Sequence, residues 1–223
     1  MNERLEQCSL IKFEGSEITI GNHVYILEQL FSEKVDRDLG ERRAVFYASR
    51  AKDGQAAVVK LRLQLHSVWL YEPRQYAHRI EWSKRIFRDE IRALRLLEPH
   101  RETPTLYDYG VLEQDDRHQY PGGFINAIAM SKMLGKPATD YPDLSDVEGE
   151  CTKHKVVQIL EEIRLLGWEM DDGAPDNIIY DRLTGTVSIT CITYGTDTKP
   201  AESRPITEND GLVRVLGQDL WWT

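Results

Sequence analysis

Apolar and polar residues alternate with a period of two over several stretches and with a helical period over two others. The alternation predicts a small strand over 18–20, a turn at Gly21-Asn22 and a longer strand over 25–30. Residues 34–40 are polar and predict a loop. Over 43–50, Val45 and Tyr47 face one way, and Phe46 and Ala48 the other. Lys52-Asp53-Gly54 is hairpin-turn chemistry. The chain then returns over 57–65 with Val59, Leu61, Leu63 and Leu65 on one face and Val58, Lys60 and Arg62 on the opposite one.

From 75 to 98 the period is helical, with Phe87, Ile91, Leu94 and Leu97 at spacings of four, three and three. Glu90 lies at the margin of that apolar face, and Arg85, Arg88, Arg92 and Arg95 form a solvated stripe on another. Strands follow over 104–111 and 124–130, then an acidic loop over 140–150. A second helix over 153–166 buries Val156, Ile159, Leu160, Ile163 and Leu166 and stops at Gly167. An acidic loop after Trp168 leads into a hairpin: a strand over 178–180, turn residues 181–185 and a returning strand over 187–192. A final short helix or strand is expected over 212–222, with Trp221 and Trp222 covering core.

The chain has 223 residues, 41% hydrophobic and 29% charged, as befits a folded domain or two small units sharing a core. Its formal net charge of −9 argues against general attraction to nucleic acid or anionic membrane. Cys8, Cys151 and Cys191 are widely spaced and odd in number, which fits neither a zinc knuckle nor a disulfide framework. With no apolar run of signal or membrane-span length, the expected location is intracellular, in the cytoplasm.

The candidate chemistry lies in M-D-D-G-A-P-D-N at 170–177 and the hairpin after it. Asp172 and Asn177 stand five residues apart with Pro175 between them. A loop held against a hairpin can present a carboxylate and an amide to one reacting centre. Upstream, A-V-V-K at 57–60 puts a lysine in an apolar strand, and the 90–100 helix E-I-R-A-L-R-L-L-E-P-H starts from Glu90. I-A-M-S-K-M-L-G-K-P at 128–137 ends the strand before the acidic loop.

In this order the segments resemble the protein-kinase-like superfamily, in particular its reduced fungal-type and small-molecule phosphotransferase relatives. The resemblance covers roughly 25–195. It implies an α+β, two-lobed protein-kinase-like fold: a small antiparallel-sheet lobe with one long helix over 1–130, and a truncated, mainly helical C-terminal lobe over 131–223. It makes Asp172 the catalytic base and Asn177 a metal ligand. Lys60, paired with Glu90, becomes the phosphate-binding lysine, and the backbone from Met130 to Lys132 would face an adenine. ATP and magnesium are the implied cofactors.

The chain departs from the pattern at several points. Thr193-Tyr194-Gly195 stands where the family has D-F-G, and a threonine hydroxyl is no substitute for a magnesium carboxylate. Asp197 is the nearest downstream acid. Before Val45 the glycine-rich loop is reduced to Gly40, with Glu41 adding negative charge near the phosphates. The expected function is that of a degenerate kinase-like protein, a pseudokinase, acting by ligand or partner binding. The alternatives are an active ATP- and magnesium-dependent phosphotransferase on a small molecule, and reuse of the scaffold for non-phosphoryl chemistry at the carboxylates of Asp171, Asp172 and Asp176.

Overall fold

A computed structural model describes residues 9–70, 72–217 and 220. Cys8, Trp221 and Trp222 lie outside the described residues. The chain divides into two compact units, residues 1–88 with 106–132 and residues 89–105 with 133–223.

In the first unit the alternating stretches become six strands: β1 (Glu17–Ile20), β2 (His23–Asp36), β3 (Glu41–Arg50), β4 (Ala56–Gln64), β5 (Leu106–Glu113) and β6 (Phe124–Ser131). They form one antiparallel sheet in the order β1-β2-β3-β4-β6-β5. The end strands β1 and β5 approach each other, so the sheet is nearly closed into a barrel. Phe46, Tyr25, Leu27 and Leu63 fill its interior, and Ala44, Ala48, Ala57, Ala127 and Ala129 keep it narrow. Leu10 and Phe13, from a 3-10 turn at Leu10–Phe13, cover one side of that core. Each large apolar side chain buried in this way contributes about 1.5–3 kcal/mol.

Closure is made polar at one point. The Asp108 carboxylate on β5 accepts the Tyr25 hydroxyl and meets His23 Nδ1 at 2.8 Å, both from β2. Burial, reinforced by that carboxylate, pushes the Tyr25 hydroxyl well above the ordinary phenol range. The opposite face of the sheet is also polar, toward the end where β3 begins. Glu41 is fully buried there, accepting the Ser83 hydroxyl from α1 (Tyr76–Leu96) and lying 3.9 Å from Arg62 Nε. Burial raises the Glu41 carboxyl, and Arg62 pulls it back down.

The second unit holds α2 (Asp146–Leu165), α3 (Gly211–Leu216) and five short strands. These are β7 (Lys136–Pro137), β8 (Trp168–Met170), β9 (Ile178–Asp181), β10 (Thr186–Ile189) and β11 (Gly195–Asp197), arranged as the sheets β10-β9-β7 and β11-β8. No helix among the described residues is long and apolar enough to cross a membrane.

This architecture corrects the kinase-like expectation. The six-stranded sheet curls to near closure, and the part after residue 131 is not mainly helical. The reason is local. Apart from α2, the stretch after 131 carries only short apolar runs broken by glycine, proline, aspartate and threonine, which make brief strands and turns. Two loops expected from polarity also turn out to be structured. Residues 34–36 extend β2, because their backbone pairs with β3 as far as Asp36↔Glu41. The acidic 140–150 segment starts α2 at Asp146. There Ser145 and Glu148 form a reciprocal capping box, and Arg182 clamps Glu148 at 2.7 Å and Asp143 at 3.0 Å.

Two changes probe this framework. Asp108→Ala leaves the Tyr25 hydroxyl without its acceptor and should cost about 1–3 kcal/mol in urea unfolding. The second involves Arg164, buried on α2, which grips Glu161 with bonds of 2.8 and 2.7 Å and reaches the Pro200 carbonyl at 2.8 Å. It holds the Glu161 carboxyl down to about 2. A carboxyl depressed on folding stabilises the protein above its unfolded pKa, and that contribution is lost as pH falls through the folded value. Stability should therefore drop between about pH 6 and about pH 2 less steeply in Glu161→Gln than in the wild type.

Candidate functional site

The segment 168–197 is built on one strand pair and one hairpin. β8 pairs with β11 through Gly195↔Met170 and Asp197↔Trp168. One residue further, the Asp171 N–H donates to the Tyr194 carbonyl at 3.0 Å. The loop holding Asp172 and the stretch holding Thr193 are thus brought side by side. Trp168, expected to open an acidic loop, is instead the fully buried first residue of β8.

After the strand, Asp171 and Asp172 are exposed, and Asp172 Oδ1 accepts the Gly173 N–H at 2.8 Å. Gly173 packs under α3: a Cβ there would stand 2.7 Å from Leu216 and 3.2 Å from Leu212. Pro175 starts a 3-10 turn over Pro175–Asn177, and Asp176 accepts the Thr139 hydroxyl at 2.7 Å. The Asn177 carbonyl accepts both the Thr190 N–H at 3.0 Å and the Thr190 hydroxyl at 3.3 Å, prolonging the β9–β10 hairpin by one step. Asn177 therefore serves the hairpin through its backbone.

Thr193 is buried, and its hydroxyl accepts from Cys191 Sγ at 3.6 Å. Asp197, the downstream acid, pairs with Arg92 Nη1 at 2.7 Å, while the same guanidinium lies 5.3 Å from the Trp168 ring. Glu90 belongs to this unit and is buried on α1.

Lys60, Met130 and Lys132 belong to the first unit. Lys60 is half-buried on β4, opposite Val45 and Ile128. Met130 is buried on β6, which is flanked on both sides by β4 and β5, so its backbone is enclosed by the sheet. Lys132 follows the end of β6 with its Nζ 3.9 Å from the Tyr47 ring centre. Glu41, feared near phosphates, is instead committed to Ser83 and Arg62.

The second unit also contains a group that sequence reasoning missed. His100, Glu102 and Glu162 each bring a donor atom within 4.8 Å of the others, beside a pocket of about 270 Å3. His-Arg-Glu at 100–102 just past the helix-ending Pro99 was the visible part of the signal. Glu162 lies sixty residues on, and only the fold brings it there.

No known protein-family profile matches the chain, and no curated protein matches it. The site is therefore judged on its own geometry.

Gly195 is the sharpest test of that geometry. A Cβ there would sit 2.4 Å from the Glu169 carbonyl and 2.6 Å from Trp168 Nε1. Gly195→Ala should separate β11 from β8, lower stability by about 1–3 kcal/mol and shift Trp168 emission toward that of an exposed indole.

Proposed function

We propose that this chain acts by binding a small molecule or a partner protein, with the loop 171–177 as its presenting surface, and does not transfer phosphate. One observation carries the reading. The stretch that lies beside the loop, 193–195, offers a magnesium ion no carboxylate, and Thr193 contributes only a buried, hydrogen-bonded hydroxyl. Magnesium in phosphotransferase sites is held by carboxylate oxygens. Losing one preorganised electrostatic contact of that kind removes about 3–4 kcal/mol from transition-state stabilisation. Asp197 does not restore it, because its carboxylate is turned to Arg92.

Electrostatics support the same reading. The exposed carboxylates of Asp171 and Asp172 make the loop surface negative. A nucleotide phosphate meets repulsion there unless a divalent cation stands between. The bracing of the loop by Leu212, Leu216 and Thr139 fixes what it presents, so little ordering is needed on binding. A reducing, cytoplasmic setting accords with the free thiols of Cys151 and Cys191.

The purified chain should hydrolyse no ATP above background with magnesium or manganese. ATP with magnesium should not raise its melting temperature, although a ligand at a hundredfold excess over its Kd adds about 2.7 kcal/mol. Metal-dependent turnover that is lost in Asp172→Asn would refute the proposal. The Asp172→Asn chain itself should unfold within about 0.5 kcal/mol of wild type, the side chain being exposed.

A further inference from the structure

The geometry points to a second site: we infer that His100, Glu102 and Glu162 bind a divalent transition-metal ion, with zinc as the probe. The inference is independent of the reading of the 171–177 loop.

The donors come from three separately fixed places. His100 sits in the turn after α1, its N–H donating to the Leu97 carbonyl at 2.8 Å and its carbonyl accepting the Thr103 hydroxyl at 3.2 Å. Glu102 is tied to β10 through its carbonyl, which accepts the Ile189 N–H at 2.9 Å. Glu162 projects from α2, and its Oε1 accepts Gln158 Nε2 at 2.9 Å, a support that orients the other carboxylate oxygen.

That other oxygen, Oε2, lies 3.0 Å from His100 Nε2. The imidazole is 4% exposed, and Nε2 is buried without a hydrogen bond. Glu102 Oε2 stands 3.5 Å from Nδ1, which accepts the Glu102 N–H at 3.3 Å. A buried ring nitrogen with no hydrogen bond, facing a carboxylate, separates this cluster from an ordinary solvated acidic patch.

An ion with bonds of about 2.0–2.2 Å holds neighbouring ligands roughly 3–3.4 Å apart. The three donors already lie within 4.8 Å of one another, so small side-chain rotations suffice. Two carboxylates cancel the charge of a divalent ion, and the ion in turn relieves their mutual repulsion. The imidazole favours zinc and its transition-metal neighbours over magnesium and calcium, which prefer all-oxygen sets. Three protein ligands leave a coordination position for water, and it would face the pocket of about 270 Å3, whose wall includes Lys155 and Thr186. Coordination at Nε2 uses its lone pair, so the proton of the neutral ring sits on Nδ1 in the metal-bound form, and the long 3.3 Å bond from the Glu102 N–H to Nδ1 is given up.

The competing structure is a metal-free imidazole set between two carboxylates. The test uses the full chain after chelator treatment. Zinc is titrated by calorimetry and thermal melting, with magnesium as control, and the ring nitrogens of His100 are followed by 15N NMR. The expected result is a zinc-specific rise in melting temperature together with a shift of the His100 nitrogen resonances. Glu102→Gln and Glu162→Gln, which preserve side-chain size, should each weaken zinc binding by at least about tenfold. Zinc that leaves the His100 resonances unmoved would overturn the inference, including zinc held elsewhere, as at His154 with Glu208, 3.1 Å apart on the surface. Unchanged affinity in the double Gln variant would overturn it equally.

Discussion

One carboxylate holds the ends of the main sheet together. Asp108 is almost buried on β5 and takes the Tyr25 hydroxyl and His23 from β2, the partner of β1. An antiparallel sheet left open exposes two edges and only half-encloses its inner face. Bringing β1 beside β5 shelters the inner face, which is why alanines can suffice at so many interior positions. A bulge between Leu106 and Asp108 bends β5 at the point of closure. The interior is then sealed from below by Leu10 and Phe13, whose 3-10 turn is capped by Ser9 and tied through Ser9 to Glu33 of β2 at 2.5 Å. Sequence, bulge, carboxylate and cap thus serve one enclosure.

The outer face of the same sheet carries a different constraint. Glu41 and Arg62 are both buried, and their separation of 3.9 Å is long for a strong pair. Such a pair repays its desolvation poorly, so its value to stability is small. Its consequence is positional. The Ser83 hydroxyl, on the first half of α1, is fixed at Glu41 Oε1 by a directional bond that an apolar contact would not supply. Asn126, opposite Arg62 in the β4–β6 ladder, extends the polar strip across a third strand.

Much of the secondary structure was legible because it follows from periods of two and three to four residues. Phe46 and Ala48 point into the barrel, Val59, Leu61 and Leu63 join them, and Phe87, Ile91, Leu94 and Leu97 are buried on and just past α1. What could not be read was the long-range arrangement. Nothing in the sequence near Asp108 announces that Tyr25, eighty-three residues earlier, will donate to it. Without that contact the sheet reads as open, and an open sheet with a lysine strand and a glutamate helix invites the kinase comparison. The start of α2 was legible in principle, since Ser145 and Glu148 have capping-box spacing, but the density of aspartates around them read as loop.

The candidate loop shows why a spacing can match a catalytic motif for other reasons. Several residues of the loop and the stretch beside it have packing duties here. Pro175 starts the turn, and Asn177 holds Thr190 through its carbonyl. Gly173 makes room for Leu216, and Gly195 lets β11 lie against Trp168. The turn uses the fixed φ of Pro175, the backbone carbonyl of Asn177 and the missing side chains of Gly173 and Gly195. The Asp172 carboxylate is different: its bond to the adjacent Gly173 N–H is one that any aspartate in such a turn can make, and the side chain remains exposed. Packing and turn geometry account for Gly173, Pro175 and Gly195, while the carboxylates of Asp171 and Asp172 stay exposed.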